Sequence, residues 1–356
     1  MTHSQSLVCP EIDSAAPLQF VINGASGSAD AETKRDAIEA ALRMGGRTAE
    51  LRFSGPGELP RVAQEAATQA LSTNSVLVAV GGDGTMNTVA QAAHAAGCAM
   101  GVVPQGTFNY FARTHGIPSD VTEAVHSLLR AVPTPVRVAA VNDRVFLVNA
   151  SLGLYPALLE DREAYKARFG RSRWVALWAA SVTLLRAQRR LRLHIEQGGA
   201  ARDVRTLTLF VGNNRLQLER LGVEPPTQDA GSDRSPIDAH QGTPQDAPPD
   251  AQITAVMLKP IGTLAMMGLM LRGAMGTLGE AQSVEHFEFK RMVVSPTLVP
   301  GRRGVKVAFD GEVTRMRAPL IFQVLDKPLY LMLPRPDGAA SPQSSSAETE
   351  ANGTRR

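Results

Sequence analysis

The sequence is poor in cysteine and in aromatic residues, and each shortage excludes a class of protein. Cys9 and Cys98 are its two cysteines, too few and too far apart for a disulfide framework or for a metal site built from thiolates. Aromatic residues make up 5% of the chain, and the arginines are not interleaved with aromatic stacking residues as they are in nucleic-acid-binding modules. We therefore expect no nucleic-acid partner.

Long apolar runs are also missing. The uncharged, apolar stretches at residues 174–185 and 260–271 are well short of the ~18 apolar residues needed to cross a bilayer, so we expect no transmembrane span. No charged-then-apolar pattern marks a secretory signal, which favours a cytoplasmic protein that is at most peripheral at the inner face of the membrane. Residues 1–16 and 335–356 are predicted to be disordered tails.

The pattern of predicted helices and strands changes near Pro133. Before it, short apolar runs alternate with alanine-rich helical segments, which predicts a parallel sheet with helices on both faces. After it, strand-like runs follow one another without crossover helices, which predicts an antiparallel β-sandwich. Asn142-Asp143 is a candidate hairpin turn between two of these runs.

The predicted fold class is therefore α/β plus β. At 356 residues the chain is long for one core, and we predict an N-terminal parallel-sheet α/β domain at 17–134 and a C-terminal antiparallel β-sandwich domain at 135–325. Residues 224–250 are crowded with Pro, Asp, Gln, Gly and Ser and are predicted to form a flexible insertion. The oligomeric state stays open, with a homodimer as one expectation.

A glycine-rich turn, Gly81 to Asn87, follows the apolar run Val76 to Val80. The run predicts a buried strand, and the turn leads into a helix. Glycines let the backbone approach a bulky anion, and the N–H groups at the start of the helix suit phosphate oxygens. The Gly-x-x-x-x-Gly-Lys-Ser/Thr run of P-loop enzymes is absent from the sequence.

Two more predicted strands end in small and polar residues. Phe20 to Ile22 leads into Asn23 to Gly27, and Met100 to Val103 leads into Pro104 to Arg113. The carboxyl ends of parallel strands meet at one edge of a sheet, where such folds bind ligands. Each turn alone could be an ordinary strand-to-helix connection, but the three together predict a nucleotide site.

These segments resemble the diacylglycerol kinase and sphingosine kinase family, including its bacterial soluble members. The family carries an Asn-Pro-x-Ser-Gly turn, a Gly-Gly-Asp-Gly-Thr-x-Asn-Glu loop, a Pro-x-Gly-Thr-x-Asn-Asp-Phe-Ala-Arg segment and a late Asp-Gly-Glu. In this chain they correspond to residues 23–27, 81–88, 104–113 and 310–312. The resemblance implies that residues 326–334 complete the nucleotide-binding domain and that residues 135–325 hold a lipid substrate.

The resemblance implies an ATP-dependent lipid kinase that phosphorylates the hydroxyl of a diacylglycerol-like or sphingoid lipid at a membrane surface, with Mg²⁺ entering with the nucleotide. It places the nucleotide on Asn23, Gly24, Ala25, Ser26, Gly27, Gly82, Asp83, Gly84, Thr85, Met86, Asn87, Thr88, Thr107 and Asn109. It also implies that Glu312 accepts the proton of the lipid hydroxyl. Asp83 is the rival base, and Asp310 is a candidate magnesium ligand.

Three departures from the family pattern stand out. Gly24 replaces the usual proline, Thr88 replaces the usual glutamate, and the Asp-Gly-x-Leu-Asp run that holds a structural magnesium in bacterial members is missing. We therefore predict no metal site of the protein's own. Two alternatives remain open: a kinase of a soluble metabolite, related to NAD kinases, and a weakly active lipid-binding regulatory protein.

Two segments could contact lipid. Residues 174–185 contain tryptophan and are flanked by arginines, a composition that suits an anionic membrane surface. Residues 261–278 contain four methionines, which adapt to irregular apolar pockets. A helix packed against the second domain is the alternative interpretation of each segment.

Overall fold

A computed structural model describes residues 9–24, 28–153, 191–214, 218, 252–260, 262, 283–297 and 304–334. Several predictions lie outside these residues: the nucleotide contacts of Ala25, Ser26 and Gly27, the segment at 174–185, most of the segment at 261–278, the insertion at 224–250, and the tails at 1–8 and 335–356. Within the described residues, no helix is long and apolar enough to span a membrane.

The helices and strands follow one another in the order β1 (Leu18–Asn23), α1 (Ser28–Met44), β2 (Ala49–Ser54), α2 (Leu59–Ser72), β3 (Val76–Gly81), α3 (Asp83–Ala96), β4 (Ala99–Pro104), α4 (Tyr110–Thr114), α5 (Val121–Leu129), β5 (Ala131–Val136), β6 (Ala139–Val141), β7 (Arg144–Phe146), β8 (Asn149–Gly153), β9 (Leu191–Gln197), β10 (Ala200–Thr206), β11 (Thr208–Gly212), β12 (Ile253–Leu258), β13 (Val284–Phe289), β14 (Arg291–Pro296), β15 (Val305–Phe309), β16 (Glu312–Met316), β17 (Leu320–Val324) and β18 (Leu329–Pro334). Strands and helices alternate up to β4, and strands dominate after α5.

The first sheet has the strand order β2-β1-β3-β4-β18-β5. Its first five strands are parallel, and β5 pairs with β18 in the antiparallel direction. The last strand of the described chain thus lies inside the sheet formed by the first strands. β3 and β4 are buried along their whole length, as expected for central strands of a sheet that is covered on both faces.

Two apolar cores lie on the two faces of this sheet, because successive strand side chains point to opposite sides. Leu77 and Ala79 of β3 pack with the alanine-rich face of α2 and with α3. Val78 and Val80 pack on the other side with residues of α1 and α5. The predicted parallel sheet with helices on both faces is confirmed.

The remaining strands form two antiparallel sheets, with orders β10-β9-β14-β17-β6-β7 and β13-β12-β11-β8-β15-β16. A third core cluster draws buried side chains from both sheets, among them Phe146, Phe322, Leu152 and Leu209. The Asn142-Asp143 hairpin is confirmed, because Val141 pairs with Arg144 across it. The described chain therefore combines a mixed α/β part with a part made of antiparallel sheets.

Candidate active site

The loops that follow β3 and β4 touch through their glycine backbones. Gln105 N–H donates to the Gly81 carbonyl oxygen at 2.8 Å. A β-carbon at position 106 would lie 2.6 Å from Gly82 Cα, and one at position 82 would lie 3.2 Å from Gly106 Cα. The first distance is shorter than any ordinary contact, so a side chain at position 106 would force the loops apart. The two loops form one surface at the carboxyl edge of the sheet.

The first turn of α3 opens onto this surface. Gly82, in extended conformation (φ −85°, ψ −174°), precedes the helix and no side chain caps it. The amides of Asp83, Gly84 and Thr85 have no carbonyl partner within the helix, whose ladder starts with Met86 N–H donating to the Gly82 carbonyl at 3.0 Å. Such a helix start attracts anions through its N–H groups and its dipole.

Asn23 connects the end of β1 to the same turn. Its side-chain amide donates to Thr85 Oγ1 at 3.1 Å. Thr85 is buried, and a β-carbon at position 81 would lie 2.5 Å from its side chain. Thr85 therefore packs against the glycine loop, and its contact with nucleotide stays a prediction.

The other residues predicted to contact nucleotide occupy different environments. Met86 is fully buried in the core between the sheet and α2, and Thr88 donates through its hydroxyl to the Gly84 carbonyl at 3.1 Å. Thr107 is exposed. Gly24 donates its N–H to the Ser54 carbonyl at 3.1 Å, beside the neighbouring strand end.

Asn109 closes the loop that contains Gly106 and Thr107. Its side chain accepts from Gly106 N–H and donates to the Gly106 carbonyl, both at 2.9 Å, while its own backbone is left-handed at φ 48°. Asparagine tolerates that conformation better than most residues. Asn109 thus fixes the loop that contains Gly106 and Thr107.

Asp83 turns toward the start of α4. Its Oδ1 accepts from Phe111 N–H at 3.4 Å. Burial raises the pKa of this carboxyl above its ordinary value, and the backbone N–H groups of Phe111, Asn109 and Tyr110 oppose the shift. The carboxylate is thereby directed at the backbone of the neighbouring segment.

Tyr110 stands where the motif has its aspartate, a departure that the sequence analysis missed. Its ring stacks on that of Phe108, with centroids 5.6 Å apart and planes inclined by 9°. Phe108 is 45% exposed. The segment between Gly106 and α4 therefore presents an aromatic pair in place of the acid of the motif. A direct comparison of residues 104–113 with the motif would have revealed this departure.

Asp310 and Gly311 form the two-residue turn between β15 and β16. Their φ angles of 46° and 91° are both left-handed, the conformation that such hairpins prefer. The Asp310 carboxylate is buried and accepts four hydrogen bonds, three from backbone N–H groups of Leu147, Val148 and Asn149 and one from the side chain of Asn87, at 2.7 to 2.9 Å. Burial raises the pKa of Asp310 to about 6, although these donors oppose the shift.

Glu312 begins β16 immediately after this turn and is exposed. A β-carbon at position 84 would lie 3.4 Å from Glu312 Oε1, so this carboxylate stands beside the glycine loop. Partial burial raises the pKa of Glu312, and the positive charge of Arg144 opposes the shift. The structure thus brings Gly82, Gly106 and Glu312 to one place.

Helix α3 also holds the edge strand β7 through side-chain contacts that the sequence analysis did not predict. Asn87 donates to the Val145 carbonyl at 2.8 Å, and Gln91 accepts from Val145 N–H at 2.7 Å. Residues four apart lie on one face of a helix. Side chains of α3 therefore satisfy both backbone groups of a residue on a strand edge, a position that otherwise stays open to pairing. Pattern reasoning had assigned Asn87 to the nucleotide and had no reason to single out Gln91.

No group of three or more His, Cys, Asp or Glu side chains suited to a metal ion occurs in the described part of the chain. Asp83 and Glu312 are the carboxylates beside the glycine loop. One or two carboxylates together with phosphate oxygens are a common environment of Mg²⁺ in phosphotransferases. Of these two residues, Asp83 could hold a magnesium ion that enters with a nucleotide.

Comparison with known proteins agrees with this geometry. Residues 17–141 match the family model of the diacylglycerol kinase catalytic domain. The chain is 34% identical over 160 residues to a protein named probable lipid kinase YegS-like from Cronobacter sakazakii, an alignment that covers 42% of this chain and 51% of the relative. A relative of the same name from Pectobacterium atrosepticum is 31% identical over 203 residues, covering 55% of this chain and 65% of the relative.

The fold is shared with a solved diacylglycerol kinase structure from Bacillus anthracis. The TM-score is 0.60 at 18% sequence identity, over 89% of this chain and 96% of the other. Residues 17–141 thus resemble the catalytic domain of the diacylglycerol kinase family. Its similarity to the two YegS-like relatives extends over about half and about two thirds of their lengths.

Proposed function

We propose that this protein is a lipid kinase that transfers the γ-phosphate of ATP to the hydroxyl of a diacylglycerol-like or sphingoid lipid. The observation that carries the proposal is the role of α3. Its first turn faces the site where an anion would bind, and its Asn87 holds Asp310, two residues before Glu312. One helix thereby positions both the glycine loop, which is predicted to bind phosphate, and the turn that carries the predicted base.

In this proposal the glycine loop holds the nucleotide phosphates through backbone N–H groups. Phosphoryl transfer requires mainly positioning and charge stabilisation from the protein. Glu312 takes the proton of the lipid hydroxyl as its oxygen bonds to phosphorus. A raised pKa suits this role, because it makes Glu312 a stronger proton acceptor than an ordinary carboxylate. The carboxylate acts in its ionised form.

The contacts of the two other acids assign them supporting roles in the same proposal. Asp83 faces the backbone of the segment at 109–111 and fixes that segment against the glycine loop. Asp310 is saturated by four donors and orients the turn that carries Glu312. The shared core of the two antiparallel sheets supports a sandwich for the second domain, and we place the lipid in that domain.

A second candidate is a weakly active lipid-binding regulatory protein. Two positions favour it, because Thr88 and Tyr110 both stand where the family motifs carry an acid. Fewer carboxylates near the phosphates leave fewer ligands for the magnesium of the nucleotide.

Labelled ATP and lipid vesicles separate the candidates. The full chain is incubated with vesicles containing diacylglycerol or a sphingoid base, and in parallel with soluble acceptors such as NAD. Transfer of label to lipid, reduced ~100-fold or more in Glu312→Gln and unchanged in the exposed control Glu288→Gln, supports the kinase. Lipid binding without transfer supports the regulatory protein, and transfer to a soluble acceptor alone overturns the lipid kinase.

A further inference from the structure

The segment from Asp143 to Asn149 is held on both sides by polar contacts, most of them buried. From α3, Gln91 contacts the Asp143 carbonyl and Val145 N–H, and Asn87 contacts the Val145 carbonyl. From the β15–β16 turn, Asp310 accepts from the N–H groups at 147–149. Both the helix that starts at the glycine loop and the turn that carries Glu312 therefore fix this segment. Such support is what holds a functional side chain in place.

Arg144 is the exposed cationic residue of this held segment. It precedes Val145, whose backbone N–H and carbonyl are both bonded to α3, and it lies two residues before Phe146 of the core shared by the antiparallel sheets. Residues two apart on a strand point to one face. Glu312 pairs with Phe309 of the same core. Arg144 and Glu312 therefore leave their strands on the core side, at the edge next to α3.

The charge of Arg144 reaches this edge. It opposes the burial that raises the pKa of Glu312, so the positive charge of Arg144 acts on the Glu312 carboxylate. Among the described residues no ion pair or hydrogen bond engages the Arg144 side chain. The backbone around Arg144 is fixed, and the N–H groups of its guanidinium are available. Because it lies next to an uncapped helix start and a carboxylate, this arginine is suited to bind a planar oxyanion such as a phosphoryl group.

We propose that Arg144 binds the γ-phosphate of ATP and stabilises it during transfer. The inference rests on the proposed function and adds a residue to it. The lipid hydroxyl oxygen forms a bond to the γ-phosphorus while the bond to the β–γ bridging oxygen breaks. ADP leaves with that electron pair, and the hydroxyl proton passes to Glu312. Arg144 donates N–H groups to the equatorial oxygens, on which charge is spread in the transition state.

Binding and turnover of three variants test the proposal. Arg144→Ala should lower kcat ~100-fold or more and weaken binding of a non-hydrolysable ATP analogue while leaving ADP binding within about two-fold, because ADP lacks the phosphate that Arg144 contacts. Arg144→Lys should restore part of kcat, since lysine keeps the charge but loses the bidentate geometry. Arg315→Ala removes the same charge from an exposed position of β16 on the face opposite to Glu312 and should change neither.

The ratio of affinities for the ATP analogue and ADP is independent of whether Glu312 is the base. If Arg144→Ala changes both affinities equally, or leaves kcat within about three-fold of the wild type, the proposal is overturned. Arg144→Gln keeps a polar side chain without the positive charge and replaces Arg144→Ala if the latter lowers Tm. Failure of the proposed function would appear in the wild type, as lack of ATP binding or of lipid phosphorylation, whereas failure of this inference appears only in the Arg144 variants.

Discussion

Two hairpins of this protein start their turns with the same local chemistry but use it differently. Asn142, in the β6–β7 turn, and Asp310, in the β15–β16 turn, are both left-handed, with φ of 54° and 46°. Asn142 accepts from Ile321 N–H at 2.8 Å and so contacts a strand of its own sheet. Asp310 instead binds residues 147–149 and Asn87 of helix α3.

The partners of the two side chains show why Asp310 connects several elements, whereas Asn142 connects strands of one sheet. The Asn142 side chain replaces a backbone contact within one sheet, and its loss should matter locally. The Asp310 carboxylate lies at the junction of α3, the held segment 143–149 and the strand that begins with Glu312. A buried group with four donors is costly to remove, because every donor then loses its partner in a place that water does not reach.

The largest effect is expected from Asp310→Ala. Three backbone N–H groups and the Asn87 amide would lose their acceptor, and the free energy of unfolding should fall by on the order of 3 kcal/mol or more. Urea unfolding followed by circular dichroism measures it. Lipid phosphorylation should fall even where the variant remains folded, since Glu312 loses its support. A loss of stability below about 1 kcal/mol would mean that the bonds from Asp310 to α3 and to residues 147–149 contribute little to the fold.

Asn87→Ala should come next, with a loss of about 2 kcal/mol, because the Val145 carbonyl loses its donor and the Asp310 carboxylate loses one of four. Gln91→Ala leaves Asp310 untouched and is the matched control on the same helix face. Asn87→Ala should lower kcat more than Gln91→Ala does. Equal kcat values in the two variants would contradict a special link between α3 and Glu312.

Asn142→Ala should cost about 1 kcal/mol, since one acceptor at a half-buried position is lost. Thermal unfolding monitored by circular dichroism is sufficient to detect it. Kinase activity should stay within about two-fold of the wild type, in contrast to Asp310→Ala. A large loss of activity here would remove the distinction between the two turns.

The smallest expected effect is that a lower pH decreases lipid phosphorylation while it increases the contribution of Asp310 to the stability of the fold. The pKa of Asp310 is raised by burial from 3.8 to about 6, so the folded protein binds this proton more tightly than the unfolded chain does. Its contribution to stability is therefore full below the unfolded value and is lost as pH rises through about 6. Activity should move in the opposite direction, because a protonated carboxyl cannot accept from all four donors.

Lipid phosphorylation should thus decline as pH falls from 7 to 5, while Tm of the wild type relative to Asp310→Asn rises over the same range. Asp310→Asn serves as the reference because it cannot titrate at this position. A relative Tm that falls with falling pH would show that the carboxylate form is the one the fold prefers. Asn142→Ala provides the second reference, and its pH profile should match that of the wild type.

The sequence by itself determined the order of elements and much of the site. The apolar run at 76–80 followed by glycines predicted the buried strand and the helix start, because a strand covered on both faces has to be apolar throughout. Asn142-Asp143 predicted its hairpin, because turn chemistry acts over neighbouring residues. The departures at Thr88 and Gly24 were visible in the same way.

Only the tertiary structure decided which partners Asn87, Gln91 and Asp310 contact. Asn87 and Asp310 are 223 positions apart along the chain, and no periodicity links residues at that distance. Their contact arises because α3 packs against an edge strand of another sheet, which brings a helix face and a hairpin turn together. Local propensity depends on neighbours in sequence, whereas the pairing of buried polar groups depends on which elements meet in space.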